Sequence, residues 1–136
     1  MPELPEVETT LRGITPHTLN RKVTKVTIRQ PRLRWPIPNE LPESIEQQTL
    51  QSISRRGKFL LFEFAHGNAL IHLGMSGSLR IVKTGTPPNV HDHFDWEFGD
   101  ISLRYHDPRR FGCLLWIEGE PKDHKLLAKL GPEPLT

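Results

Sequence analysis

Residues 94–106 read Phe94-Asp95-Trp96-Glu97-Phe98-Gly99-Asp100-Ile101-Ser102-Leu103-Arg104-Tyr105-His106 and carry the clearest strand pattern in the chain. Apolar and polar residues alternate on both sides of Gly99-Asp100, so the apolar side chains of each half lie on one face of a strand. A glycine-containing pair between two such segments is typical of a tight hairpin turn. The stretch therefore predicts two antiparallel strands that turn one face toward a core.

Further segments of strand length lie on both sides of this hairpin, separated by glycine and proline turns. They are residues 23–28, 51–54, 59–64, 69–73, 78–82 and 111–117. The segment 59–64 is apolar almost throughout, as expected of a strand with both faces covered. His66-Gly67-Asn68 predicts a hairpin turn, whereas residues 31–42, with four prolines, and residues 83–89 are predicted loops.

Two helices are predicted to flank the strands. Pro5 and Glu6 suit the first turn of a helix over residues 5–19, and apolar residues recur at helical spacing within it. A short amphipathic helix is predicted over residues 122–130, ended by Gly131-Pro132. We therefore predict a mainly β fold, a β-sandwich of about eight strands with an N-terminal helix and a short C-terminal helix.

The composition is that of a single globular domain. The chain has 136 residues, and its hydrophobic fraction of 35% argues against disorder. No apolar run approaches the length of a membrane span, and the acidic, proline-bearing start does not resemble a signal peptide. The single cysteine, Cys113, allows no internal disulfide or cysteine zinc cluster and is expected to be a buried, inert thiol.

The charge pattern leaves two interpretations open. The net charge of +2 is a weak indication of a nucleic-acid partner. Basic residues are clustered within residues 29–34, 55–58 and 109–110. These clusters either face phosphates or lie in solvated loops, and the pattern alone does not decide between the two.

The N-terminus has the most specific chemistry. Removal of Met1 would expose Pro2 as a secondary amine, which can attack an electrophilic sugar carbon and give an iminium ion. A free α-amine titrates at about pH 8, so a neutral fraction exists at physiological pH. Glu3 beside it could donate or accept the proton that the reaction needs. The alternative is that these residues only begin a loop before the first helix.

Several longer motifs connect this N-terminus to a known family. They are, in order, Pro2-Glu3-Leu4-Pro5-Glu6-Val7-Glu8-Thr9, Arg32-Leu33-Arg34-Trp35-Pro36, Arg55-Arg56-Gly57-Lys58, His72-Leu73-Gly74-Met75-Ser76-Gly77-Ser78-Leu79-Arg80, His91-Asp92-His93, Asp107-Pro108-Arg109-Arg110-Phe111-Gly112 and Leu130-Gly131-Pro132-Glu133-Pro134-Leu135. With these motifs, essentially the whole chain resembles the N-terminal catalytic domain of the formamidopyrimidine-DNA glycosylases. The related endonuclease VIII branch typically starts Pro-Glu-Gly-Pro-Glu, so Leu4 favours the formamidopyrimidine branch.

The resemblance implies a catalytic group and a DNA-binding group. Pro2 would form a Schiff base with the deoxyribose C1′, Glu3 would protonate and deprotonate the opening sugar, and Lys58 would contact the phosphate next to the lesion. Met75 and Phe111 are candidate wedges that fill the stack after base flipping, with core packing as the alternative. The other predicted DNA contacts next to Phe111 are Arg109, which would face the orphaned cytosine, and its neighbour Arg110.

Histidines and one glutamate complete the candidate site. His72, His91 and His93 invite a zinc interpretation, but no cysteine or acidic set completes a tetrahedral site, so we predict no metal. Contacts to backbone phosphates near the DNA face, or structural hydrogen bonds, are the expected roles. Glu6 either orders the region of the nucleophile or only complements the helix dipole.

The family resemblance also implies the wider function. A glycosylase and AP lyase of base-excision repair would remove 8-oxoguanine and formamidopyrimidines from double-stranded DNA and then cut the abasic site by β,δ-elimination. We expect a monomer in the bacterial cytoplasm, associated with the nucleoid, with no membrane partner. Residues 1–136 would form the N-terminal domain alone, without cofactor. The family's helix–two-turns–helix domain and its zinc finger, which holds one zinc ion, would be absent, leaving this part weakly active or inactive. The alternatives are an endonuclease VIII-like enzyme for oxidised pyrimidines and a non-catalytic DNA-binding domain.

Overall fold

The structure is a computed structural model that describes residues 4–118. Its helices are α1 Leu4–Thr18 and α2 Leu41–Ile45, and its strands are β1 Lys25–Ile28, β2 Ser52–Arg56, β3 Phe59–Phe64, β4 Gly67–His72, β5 Ser78–Lys83, β6 Asp92–Phe98, β7 Ile101–His106 and β8 Cys113–Glu118. The helix predicted over residues 122–130 lies outside the described residues. Within residues 4–118, neither helix has the length and apolar character needed to cross a membrane.

The eight strands form two antiparallel sheets, with the orders β1-β6-β7-β5 and β2-β3-β4-β8. The prediction of a mainly β sandwich with an N-terminal helix is thereby confirmed. The rings of Phe62 and Trp96, from opposite sheets, meet edge-on with their centroids 5.1 Å apart, and both side chains are fully buried. Helix α1 packs against β2 and β5, which are edge strands of the two sheets, and so closes one side of the sandwich.

Strand β3 is covered on both faces, as its apolar sequence predicts. Leu60 and Phe62 enter the main core between the sheets, whereas Phe59 and Leu61 join a second cluster with Cys113 on the other face. Burial raises the pKa of the Cys113 thiol to about 11, so it stays protonated at neutral pH. The expectation of a buried, inert cysteine is confirmed.

Two local predictions are right in kind but wrong in their bounds. The β3–β4 hairpin turns at residues 65–66, and Gly67 already belongs to β4, opposite Phe64. Glycine is needed there for close packing, because a Cβ at position 67 would lie 2.6 Å from the Ile117 carbonyl oxygen and 2.7 Å from the Trp116 ring. Part of the predicted loop over residues 31–42 belongs to helix α2, which is too short to have a detectable period in the sequence.

The outer face of the β6–β7 hairpin is buried rather than solvated. Arg104 donates from Nε and Nη2 to the two carboxylate oxygens of Asp95 at 2.9 Å each, and Arg29 Nη2 donates to Asp95 Oδ1 at 2.7 Å. Arg104 Nη2 also donates to the Thr86 carbonyl oxygen at 2.7 Å, which holds the predicted loop of residues 83–89 against the sheet. Arg29 is therefore committed to an ion pair within the fold.

Candidate functional site

The strand order brings most of the predicted site residues to one end of the sandwich. In the second sheet, β3 begins beside Lys58, β4 ends at His72 and β8 begins at Cys113, all in adjacent register. Two connections leave the sheets at this same end. We call residues 73–77, between β4 and β5, the Met75 turn, and residues 107–112, between β7 and β8, the Arg109 loop. The two candidate wedges lie on these neighbouring connections.

Both candidate wedges are exposed. Met75 is 58% exposed and Phe111 is 42% exposed, although both are large apolar side chains. The alternative of core packing is therefore wrong for both residues. Exposed apolar side chains on adjacent turns are suited to contact a partner rather than to stabilise this domain.

An arginine-lined cleft lies beside Phe111. Its volume is about 520 Å³, and it is lined by Arg32, Leu33, Arg34, Arg109, Arg110 and Phe111. The Arg109 guanidinium lies 4.5 Å from the centroid of the Phe111 ring. This cation–π contact places a positive charge beside the exposed aromatic ring. The Arg34 backbone N–H donates to the Gly112 carbonyl oxygen at 3.0 Å, so the segment carrying Arg32 and Arg34 is fixed to the Arg109 loop.

His72 is held as a neutral acceptor next to positive charge. Its Nδ1 accepts a hydrogen bond of 2.9 Å from the Gly74 backbone N–H, and its ring lies edge-on to Phe59 at 4.7 Å. Burial lowers the pKa of His72 below its ordinary value, and the positive charges of Arg34 and Lys58 lower it further. The Nε2–H group remains as a neutral donor, which suits contact with a phosphate oxygen.

Lys58 is exposed in the two-residue turn between β2 and β3, and helix α1 is connected to that turn. Arg55 Nε donates to Glu8 Oε2 at 3.3 Å, and Arg55 Nη1 donates to the Gly57 carbonyl oxygen at 3.1 Å. Arg55 has a side chain only 9% exposed. Sequence reasoning assigned neither Glu8 nor Arg55 this linking role, and only the Arg-Arg-Gly-Lys motif marked the turn as special.

The histidine pair divides into one surface and one internal residue. His91 is partly exposed, and its ring centroid lies 6.0 Å from that of His106. His93 is 4% exposed, and its Nε2 shares a 2.6 Å hydrogen bond with the Asp107 carbonyl oxygen. The structure therefore gives His93 a supporting role beneath the Arg109 loop, while a DNA contact by His91 stays a prediction.

Asp107 stands in one of the family motifs, but the sequence analysis assigned it no role. It is fully buried, and its carboxylate accepts hydrogen bonds from both the Met75 turn and the Arg109 loop. Burial alone would raise the pKa of this carboxyl, but hydrogen bonds from Ser76, Tyr105 and two backbone N–H groups outweigh it and hold the pKa below its ordinary value. Its place after a strand and directly before Pro108 marks it in the sequence as a turn residue.

Pro2 and Glu3 lie outside the described residues, so their predicted chemistry rests on the sequence. Glu6 is exposed in the first turn of α1, where the helix dipole favours it, and its ordering role stays a prediction. Across residues 4–118, no three histidine, cysteine, aspartate or glutamate side chains gather as ligands for a metal ion.

Fold and site together define a class of protein. It is a two-sheet β-sandwich domain that exposes the apolar side chains of Met75 and Phe111 among arginine and lysine side chains at one end. Residues 1–114 match the model of the family described as formamidopyrimidine-DNA glycosylase N-terminal domain. The chain belongs to this family.

Curated relatives and solved structures agree with this assignment. The chain is 68% identical over 135 residues to a formamidopyrimidine-DNA glycosylase of Cellvibrio japonicus and 60% identical over 136 residues to one of Methylococcus capsulatus. Each match covers 99% of this chain and 50% of the relative, so the chain spans about half the length of these proteins. A crystal structure of Lactococcus lactis formamidopyrimidine-DNA glycosylase, non-covalently bound to DNA containing an AP site, superimposes with a TM-score of 0.84 at 34% identity, over 95% of this chain and 49% of that one.

Proposed function

We propose that this domain is the catalytic part of a DNA glycosylase and AP lyase of base-excision repair. It would act on double-stranded DNA that contains oxidised purines, such as 8-oxoguanine and formamidopyrimidines, or abasic sites. The observation that carries the proposal is the placement of Met75, Arg109 and Phe111 on two adjoining exposed connections, beside Lys58 and His72. Family membership and the DNA named for the Lactococcus lactis structures support the same activity.

The wedge residues account for access to the lesion. A base inside a duplex must be turned out before its sugar can be attacked, and the gap in the stack must be filled. Apolar side chains such as Met75 and Phe111 can enter a base step, and the Arg109 guanidinium can donate to the acceptor edge of the unpaired base. Lys58 and the neutral Nε2–H of His72 would bind phosphate oxygens close to the flipped nucleotide.

The N-terminal amine supplies the proposed chemistry. The neutral nitrogen of Pro2 forms a bond to C1′ while the bond between C1′ and the damaged base breaks, and opening of the sugar ring gives a Schiff base. Glu3 protonates and deprotonates the sugar during these steps. Elimination of the phosphates on both sides of the opened sugar then cuts the strand.

Borohydride trapping tests this mechanism. We expect the full-length natural protein to form a covalent adduct with a duplex that contains 8-oxoguanine opposite cytosine, and the variant Pro2→Gly to lose most of it. An intact-mass measurement must show that Met1 has been removed, because a retained Met1 blocks the proline nitrogen. No adduct from wild-type protein with a free Pro2 would contradict the mechanism and favour a non-catalytic DNA-binding domain.

A lesion panel tests the substrate class. Duplexes with 8-oxoguanine, a formamidopyrimidine or an oxidised pyrimidine are compared at equal enzyme concentration. We expect the two purine lesions to be excised faster. Preference for the oxidised pyrimidine would instead support an endonuclease VIII-like enzyme.

We propose a cytoplasmic, nucleoid-associated monomer, in keeping with the bacterial origin of the relatives named above. The family's helix–two-turns–helix and zinc-finger domains, with their zinc ion, are proposed to belong to the full-length protein outside residues 1–136. Because DNA affinity depends on many phosphate contacts, we expect the isolated chain to be weakly active or inactive.

A further inference from the structure

The Met75 turn and the Arg109 loop pack backbone against backbone. A Cβ at Gly74 would lie 2.7 Å from the Gly112 nitrogen and 2.8 Å from the Phe111 carbonyl carbon. Gly74 also has φ +65°, a conformation that other residues adopt only at a cost. A Cβ at Gly112 would lie 2.3 Å from the His72 carbonyl oxygen. Only glycines let the two connections approach this closely.

A single carboxylate holds the two connections together. Asp107 Oδ1 accepts from Ser76 Oγ at 2.6 Å and from the Arg110 backbone N–H at 3.1 Å. Asp107 Oδ2 accepts from Tyr105 Oη at 2.7 Å and from the Gly112 backbone N–H at 3.0 Å. Ser76 is the immediate neighbour of Met75, and Arg110 and Gly112 are the immediate neighbours of Phe111. The carboxylate therefore bonds directly to the residues beside each wedge.

The backbone of the Arg109 loop also depends on this aspartate. Arg110 has φ +55°, which is unfavourable for a side chain other than glycine or asparagine. Its N–H donates to Asp107 Oδ1 at 3.1 Å and to the Asp107 carbonyl oxygen at 3.3 Å, and that carbonyl oxygen also accepts from His93 Nε2 at 2.6 Å. The hydrogen bonds of Asp107 thus hold Arg110 in a conformation that presents Arg109 and Phe111 side by side.

We propose that Asp107 is a positioning residue that joins the Met75 turn and the Arg109 loop into one rigid unit, so that Met75, Arg109 and Phe111 enter DNA together. This inference rests on the proposed function for its consequence in catalysis, but the rigid unit itself is a property of the free protein. Asp107 is fully buried and acts only through the residues it holds. Misplacement of positioning groups by about 1 Å costs on the order of 100-fold in rate, so the unit matters to the reaction.

The variant Asp107→Asn isolates this role because it keeps the shape of the side chain. An amide nitrogen on either branch faces a backbone N–H, that of Arg110 on one side or that of Gly112 on the other. Tyr105 and Ser76 hydroxyls can rotate to accept, but a backbone N–H cannot. The Arg109 loop therefore loses one of its two backbone anchors to the side chain whichever way the amide turns, and its packing against the Met75 turn is weakened.

Two substrates separate positioning from chemistry in the full-length protein. A duplex lesion requires the wedges, whereas an abasic site in single-stranded DNA has no stack to open. We expect Asp107→Asn to lower kcat for excision from the duplex by about 100-fold and to change cleavage of the single-stranded abasic site by less than about threefold. Equal losses on both substrates, or no loss on the duplex, would overturn the inference.

Amide hydrogen exchange tests the rigid unit without any activity. We expect Asp107→Asn to accelerate exchange in the segments containing Arg110, Gly112 and Gly77 by at least about tenfold. Ser76→Ala, which removes one bond on the Met75 side, should also accelerate exchange at Arg110 and Gly112. Confinement of its effect to residues 73–77 would show that the two connections are independent and would overturn the inference.

The matched control is Asp95→Asn. Asp95 is also a buried, hydrogen-bonded aspartate, but its side-chain partners, Arg104 and Arg29, belong to neither connection. We expect it to lower the stability of the fold while leaving the duplex-to-single-strand activity ratio and the exchange of Arg110 and Gly112 unchanged. If the control reproduces the Asp107→Asn pattern, the effect is general destabilisation and the inference fails. If the wild type cuts neither substrate, the proposed function fails, and hydrogen exchange still decides on the rigid unit.

Discussion

The buried carboxylates of this domain show how single residues connect segments that are distant in the sequence. Asp95 and Asp107 lie on or beside the same sheet, and each accepts hydrogen bonds from more than one segment. Burial raises their pKa values, yet the hydrogen bonds and, for Asp95, the neighbouring arginines lower them by more. Their charges therefore persist inside the fold, where an unpaired charge would be too costly.

The protonation of His72 follows from its hydrogen bond and its charged neighbours. In the protein without DNA, we expect the His72 imidazole to titrate below its ordinary pKa. We also expect its proton on Nε2, because Nδ1 accepts a hydrogen bond from the Gly74 N–H. Nitrogen-detected NMR of the histidine rings over a pH series measures both properties. A proton on Nδ1 at neutral pH would contradict the hydrogen bond.

Among the secondary-structure elements, helix α1 has the clearest local cause for its end, a residue with positive φ just after its last turn. The helix continues through Pro16 and ends at Thr18, one residue before the predicted end at residue 19. Asn20 then adopts φ +64° and donates its N–H to the Leu50 carbonyl oxygen at 2.8 Å. A left-handed residue after the last turn reverses the chain toward β1.

Substitutions at Asn20 test this ending. We expect Asn20→Gly to change the free energy of unfolding by a few tenths of a kcal/mol at most, since glycine adopts positive φ freely and the N–H remains. Asn20→Val should lose about 1–2 kcal/mol because a β-branched side chain resists this conformation. Urea denaturation of the three proteins gives the values. Equal stability of the valine variant would mean that the left-handed conformation is not required.

The domain as a whole combines an uncharged aromatic core with ionised groups at its surface and between the Met75 turn and the Arg109 loop. The lowered pKa values of Asp92, Asp95 and Asp107 mean that the unfolded chain binds more protons than the folded one at acid pH. Their contribution is complete above the unfolded pKa of about 4 and is lost as the pH falls through the folded values.

Acid titration of stability tests this behaviour. We expect the free energy of unfolding to fall as the pH decreases below about 4, and to fall less steeply in Asp107→Asn, which lacks one of the lowered groups. Chemical denaturation at a series of pH values from neutral to strongly acidic gives the slope. An unchanged slope in the variant would show that Asp107 is not ionised in the fold.

The charged end of the molecule predicts a salt dependence for DNA binding. Each phosphate neutralised contributes about −0.9 to the slope of log K against log salt. We expect the double variant Arg32→Gln, Arg34→Gln to make that slope less negative by about 2 in the full-length protein. Arg12→Gln, on the exposed outer face of α1, serves as the control. An unchanged slope in the double variant would remove the cleft from the DNA interface.

Local sequence was sufficient for most elements because each carries its own periodicity. The β6–β7 hairpin, the covered strand β3 and the exposed turns of Met75 and Phe111 follow from alternation, apolar length and flanking glycines. It was not sufficient for Gly67, whose position in β4 is required by close contact with Trp116 and Ile117, more than forty positions along the chain. Family motifs, rather than physics, selected Lys58 and Arg109 from the other basic residues.

By itself the sequence determined the alternation of faces, the breaks between strands and the place of Pro2 directly after Met1, since these depend on residues that are neighbours in the chain. Only the tertiary structure decided that Lys58, His72, Met75 and Phe111 share one end of the sandwich, because antiparallel pairing brings β3, β4 and β8 into register there. It also decided the role of Asp107. A buried carboxylate is stable only where separate segments deliver donors to it, and no local pattern records which segments those are.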